Sequence, residues 1–96
     1  MTTLATRLAA LRDKSGLSAA GLGELAGLSR STVGMIEEGR RKNPAASTIL
    51  ALSRVLGDHG GWLLSGLGQE PTKEVVEYAV ARAKEERGRQ QNGDAA

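Results

Sequence analysis

Apolar residues recur along most of this chain at intervals of three and four, the spacing that lines one face of an α-helix. Leu4, Leu8 and Leu11, with Ala5 beside them, form the first stripe. Thr2 or Thr3 can cap it and Gly16 can end it, which predicts a helix to about Lys14 with Arg7, Arg12 and Lys14 on its outer surface. Two short stripes follow. Leu22, Leu25 and Ala26 stand behind a Ser18 cap and stop at Gly27, where a left-handed backbone is expected. Val33 and Ile36 stand behind a Ser29 cap and stop at Gly39. The Asn43-Pro44 turn signal precedes a fourth stripe, Ile49, Leu52, Val55 and Leu56, closed by Gly57. After the DHGG turn, Trp62, Leu63 and Leu64 make a brief fifth helix ending at Gly66. No segment has a β-period, so the expected fold class is all-α.

Within this series Leu22, Ala26, Leu28, Val33 and Ile36 have the spacing of a helix-turn-helix. Two helices crossing steeply need a small residue where they approach, and Gly23 is placed for that. The second of the pair is expected over about 29–38. Directly after it come Arg40, Arg41 and Lys42, then Asn43. Three adjacent cations beside a helix end either meet phosphates, the use their position favours, or form an ordinary solvated turn, and the free N–H groups behind Ser18 also suit an anion.

Past Gly68 the pattern changes. Pro71 suits the first turn of another helix, and the residues that follow are strong helix formers. Val76, Ala79, Val80 and Ala83 give it a narrow apolar stripe, widened at the start by Val75 and Tyr78. Arg82–Glu86 and Glu85–Arg89 are spaced for i,i+4 support. The stripe is too apolar to stand bare, yet the five preceding helices already form a complete bundle. It therefore either joins two copies of the chain or folds back on its own bundle. The first use is the expectation carried forward, with Val76, Ala79, Val80 and Ala83 as a homodimer contact. The chain then divides into a bundle over 1–68, a dimerisation helix over 69–90 and a disordered tail over 91–96.

Composition narrows the chemistry. Ninety-six residues suit one domain with a modest core. The chain has no cysteine and a single histidine, His59, so a thiolate or imidazole metal site is not expected. No nucleophile–base pair, ligand cluster or phosphate-cradling glycine loop stands out, so neither an enzyme nor a cofactor is expected. The net charge of +2 and pI near 9.4 permit nucleic-acid binding. Residues 1–70 carry eight Lys/Arg against six Asp/Glu and residues 71–96 five of each, so the positive excess belongs to the bundle. No apolar run reaches the ~20 residues of a membrane span, and the amphipathic N-terminus is unlike a secretory signal. A cytoplasmic, nucleoid-associated protein is expected.

The segments LRDKSGLSAAGLGELAGLSRSTVGMIEEGRR, NPAASTILALSRVLG and WLLSG, in that order, resemble the lambda-repressor-like (Cro/C1, or XRE-type) DNA-binding domain. The resemblance covers about two-thirds of the chain. It implies a compact five-helix bundle, to which the C-terminal helix is added. It also implies that the helix from about Ser29 to Glu38 enters the major groove of double-stranded DNA. Arg30, Ser31 and Met35 then fall at base-reading positions. A guanidinium can grip guanine bidentately; the alternative for Arg30 is a solvated side chain. Ser31 and Thr32 would meet a base, a phosphate or water, and Met35 either a thymine methyl or the core. Ser18, Ser29, Arg40, Arg41, Lys42 and Asn43 complete the DNA-facing set. Arg12 and Glu37 fall where a structural ion pair ties the first helix to the recognition helix, and Trp62 falls in the core.

Four positions depart from the family pattern. Ala19 replaces the usual glutamine, Gly21 and Gly34 weaken their helices, and Glu38 puts a carboxylate where an uncharged phosphate contact is common. The function these readings imply is a sequence-specific transcriptional regulator, a repressor acting as a homodimer. The alternative is a protein-interaction module, such as an antitoxin-type protein that binds a protein partner and has little affinity for DNA.

Overall fold

Capping side chains open the first two helices. In the computed structural model, which describes residues 2–94 and their side chains as far as Arg89, Thr3 Oγ1 accepts the Thr6 N–H at 3.2 Å and opens α1 (Leu4–Ser15). Ser18 Oγ accepts the Gly21 N–H at 3.0 Å and opens α2 (Ala19–Leu25). The remaining helices are α3 (Thr32–Glu37), α4 (Ala46–Leu56), α5 (Trp62–Ser65) and α6 (Lys73–Asp94). No strand occurs among the described residues, so the fold is an all-α helix-turn-helix bundle.

Each expected stripe turns inward. Leu8 and Leu11 of α1, Leu22 of α2, Val33 and Ile36 of α3, Leu52 and Leu56 of α4 and Leu63 of α5 form one core, with Trp62 beside them. Trp62 is 7% exposed and is a packing residue, as its place in the stripe implied.

Two parts of the sequence reading are corrected here. The first concerns α6. Val76 is fully buried and Val80 is 4% exposed, both inside the same core, with Ala83 packed partly against it. Ala79 lies against Gly57 at the end of α4, where an added Cβ would come within 3.0 Å of the Ala79 Cβ. The stripe of Val76, Ala79, Val80 and Ala83 is therefore used within the chain rather than kept for a second copy. The physical reason is proximity: Lys14 Nζ bonds Glu70 and, at 2.7 Å, the Pro71 carbonyl. This fastens the connection before α6 to α1 and lays the helix across α1 and α4. α6 also continues to Asp94, so residues 91–94 of the expected tail are helical, and Ala95 and Ala96 lie outside the described residues.

The second correction concerns Arg7, expected on the outer surface of α1 but only 7% exposed. Its guanidinium reaches across to α5. Nε donates to the Leu63 carbonyl at 2.8 Å, Nη2 to the Leu64 carbonyl at 3.2 Å, and Nη1 to the carbonyl and hydroxyl of Thr2 at 2.7 and 3.1 Å. A four-residue helix leaves its last carbonyls without intrahelical partners, and Arg7 supplies them. Asp58 does the corresponding work at the other end of α5, accepting the Trp62 and Leu63 N–H groups at 3.0 and 2.7 Å.

Candidate nucleic-acid interface

The α2–α3 corner is set by backbone packing. Gly23 sits so close to the next turn that a Cβ would lie 2.7 Å from the Ser29 carbonyl oxygen. Gly27 takes the left-handed conformation (φ +76°) that lets the chain reverse after α2. The Ser29 carbonyl, held against Gly23, accepts the Thr32 N–H at 3.2 Å. Residues 29–31 therefore form a turn, and α3 begins at Thr32 rather than at Ser29.

This changes the expected cap. Ser29 Oγ shares a 2.6 Å hydrogen bond with the Thr32 hydroxyl instead of receiving a helix N–H. Ser31 occupies the cap position and makes no side-chain capping bond. Thr32 is 5% exposed, its hydroxyl turned toward Ser29, so it drops out of the expected DNA-facing set. What α3 and its turn present outward is Ser31, Gly34, Met35 and Glu38, at helical spacing, with Arg30 beside them.

The cations divide into two kinds. Arg30 Nε lies 3.2 Å from Glu24, and Arg40 Nε lies 3.2 Å from Glu38. Both arginines are about three-quarters exposed. Such pairs are worth little in water and can give way to a phosphate or base. Arg41 and Lys42 are exposed with no carboxylate in ion-pair range among the described residues. The run is not loose, because the N–H groups of Arg40 and Arg41 donate to the Met35 carbonyl at 3.0 and 3.2 Å. Gly39, at φ +80°, allows this return. The basic segment is thereby fixed at the C-terminal end of α3. Ser18 and Asn43 are exposed.

A family model described as a helix-turn-helix domain matches residues 3–60, well over half of the chain. The chain belongs to the helix-turn-helix domain family. The match is consistent with the Cro/C1-type resemblance and makes a DNA-binding regulator the broad functional class. No curated protein and no solved structure matches the chain. Among the described residues no group could hold a metal ion, and no helix is long and apolar enough to cross a membrane.

The helix-turn-helix is carried by the bundle through Arg12. Its Nε and Nη2 bond the two Glu37 carboxylate oxygens at 2.6 and 2.9 Å, a two-pronged grip that joins α1 to α3, and Nη1 donates to the Leu17 carbonyl at 3.2 Å. The hydrogen bond with Glu37 holds the Arg12 pKa above its ordinary value, against the opposing effect of partial burial. A raised guanidinium pKa contributes stability that is complete below the unfolded value and lost only as pH rises through the folded one. On the arginine side, the joint therefore holds through the neutral range and is lost only in strongly alkaline solution.

Three features that hold the bundle together behind this surface escaped the sequence reading. Arg7 could have been found, since it stands three residues after Leu4 and four before Leu11, on the edge of the apolar stripe. Asp58 had a weaker signal, an acidic side chain just before an apolar short helix. The Lys14–Glu70 link had none, because it joins residues 56 apart in sequence.

Proposed function

We propose that this protein is a transcriptional repressor that binds double-stranded DNA sequence-specifically as a homodimer. In this reading α3 and the turn before it enter the major groove. Arg30 leaves Glu24 to grip guanine, Met35 meets a thymine methyl, and Ser31 reads a base or binds phosphate. Arg40, Arg41, Lys42 and Asn43 hold the backbone on one side, and Ser18 and Ser29 on the other. Its place of action is the cytoplasm, on the nucleoid. The observation that carries the reading is the basic run tethered to the Met35 carbonyl, which sets three cations at one end of an outward-facing α3.

Val76 and Val80 of the α6 stripe are buried in the chain's own core, so the dimer contact is proposed elsewhere. Leu64 of α5 and Leu67 just after it, 64% and 75% exposed, are bare aliphatic side chains and are the contact proposed for the dimer. A mobility-shift titration over a range of salt concentrations tests the DNA reading. Neutralising Arg40, Arg41 and Lys42 should weaken binding to every sequence and reduce the log–log salt slope by about 0.9 for each phosphate that no longer meets a cation. An unchanged slope would remove the loop from the duplex. No binding by the unaltered protein at low salt would favour the alternative, a module that binds a protein partner. That alternative draws on the two arginines already occupied by Glu24 and Glu38.

A further inference from the structure

Away from the DNA-facing surface, α6 and the ends of α2 and α4 enclose an open groove of about 830 Å³. Its size falls among small-molecule sites, roughly 300–1,000 Å³. The floor is aliphatic, made by Leu25 of α2, Val55 of α4 and Val75, Ala79 and Ala83 of α6. Tyr78, 66% exposed, stands along one wall. Three guanidiniums also line the groove, those of Arg54, Arg82 and Arg87, together with the His59 imidazole and against the carboxylates of Glu74 and Glu86. Arg82 leans on the Tyr78 ring, 6.0 Å from its centroid, and is 4.0 Å from Glu86. Arg54 and Arg87 have no ion-pair partner among the described residues.

An apolar floor with two uncommitted guanidiniums at its border fits one class of ligand. We infer that the groove binds a small amphipathic carboxylate, its hydrocarbon body on Leu25, Val55 and Ala79 and its carboxylate between Arg54 and Arg87. A guanidinium is suited to this because its planar fork matches a carboxylate's two oxygens. An uncharged ligand would leave those cations unused, and a bare inorganic anion would leave the aliphatic floor in water. Position gives the site a consequence that rests on the DNA-binding reading. Leu25 is the last residue of α2, two residues before the Gly27 turn that sets α3. A ligand pressed against it acts on the helix-turn-helix corner directly.

The test uses the full chain and decanoate, kept below its micelle-forming concentration, followed by amide chemical shifts without DNA. Saturable shifts confined to Leu25, residues 54–59 and residues 75–87 are expected. Decanamide should bind at least tenfold more weakly, and an Arg54→Gln/Arg87→Gln variant should lose about the same factor for decanoate alone. Equal affinity for acid and amide, or sulfate binding as tightly as decanoate, would overturn the ligand class. Absence of saturable shifts up to millimolar decanoate, or shifts centred elsewhere, would overturn the site. Mobility shifts with and without saturating decanoate then read the coupling separately. A several-fold change in DNA affinity is expected, and no change would remove the regulatory consequence while leaving the binding result intact.

Discussion

Arg7 is a buried cation with no carboxylate partner among the described residues, and its stability rests on carbonyl oxygens from Leu63, Leu64 and Thr2. Replacing it with alanine strips those carbonyls of their donors and leaves a gap under Gly66, whose α-carbon faces the guanidinium. Arg7→Ala should lower unfolding free energy by about 2–3 kcal/mol, the cost of leaving buried acceptors unsatisfied. Urea denaturation measures it, and a loss under 0.5 kcal/mol would mean that water replaces the side chain easily. Arg30 is the contrasting case, exposed and held only by Glu24. Arg30→Ala should leave stability nearly unchanged. On DNA it should cost about 1–3 kcal/mol at the preferred sequence and relax discrimination at one position of each half-site. Equal weakening on specific and random duplexes would reassign Arg30 to the backbone.

At the level of elements, two glycines separate helix propensity from helix contact. Gly34 lies inside α3 with nothing within 4 Å of where a Cβ would be. Gly34→Ala should therefore stabilise the domain by about 0.5–1 kcal/mol, since alanine loses less backbone entropy in a helix. Gly23 is the opposite. A Cβ there would stand 2.7 Å from the Ser29 carbonyl oxygen, a backbone atom that cannot rotate away. Gly23→Ala should destabilise by roughly 1–3 kcal/mol, as overpacking does, and should open the α2–α3 corner. Thermal unfolding of the two variants side by side checks both. A Gly23→Ala protein as stable as the parent would show that the corner has slack. The same comparison bears on DNA, because a widened corner moves Arg30 and Ser31 relative to the basic run.

For the whole molecule the decisive feature is that α6 is part of the core. Its 22 residues extend about 33 Å at 1.5 Å per residue, and its first half lies across α1 and α4. Val80→Glu would place a carboxylate among aliphatic side chains with no partner, a change that desolvation makes costly. It should destabilise the chain by about 3 kcal/mol or more, a large share of the 5–15 kcal/mol that holds a typical domain together. Circular dichroism during urea titration should show earlier loss of the entire helical signal, in one transition. A folded Val80→Glu protein that merely changes its sedimentation from dimer to monomer would return the stripe to an intermolecular role. Substituting Leu64 and Leu67 by serine should leave the fold intact, and sedimentation then tests the proposed dimer contact independently of α6.

The sequence alone determined the features that depend on local spacing. The first five helices follow from residues three and four apart, their ends from Ser18, Gly16, Gly27 and Gly57, and the α2–α3 corner from a lone small residue at Gly23. These need no knowledge of distant partners, because periodicity, caps and left-handed turns are properties of a few consecutive residues. The Arg12–Glu37 pair was also readable, through the family resemblance rather than through chemistry. Only the tertiary structure decided where an ambiguous surface went. An apolar stripe on α6 is the same in sequence whether it meets its own bundle or another copy. Closure was settled by the Lys14–Glu70 clasp and by the fit of Ala79 against Gly57. Likewise a charged Arg7 beside a leucine stripe could point either way until α5 offered it unpaired carbonyls. Thr32 was turned inward by the Ser29 backbone wedged against Gly23. Each of these outcomes depends on a contact between segments far apart in the chain, and local pattern carries no record of those.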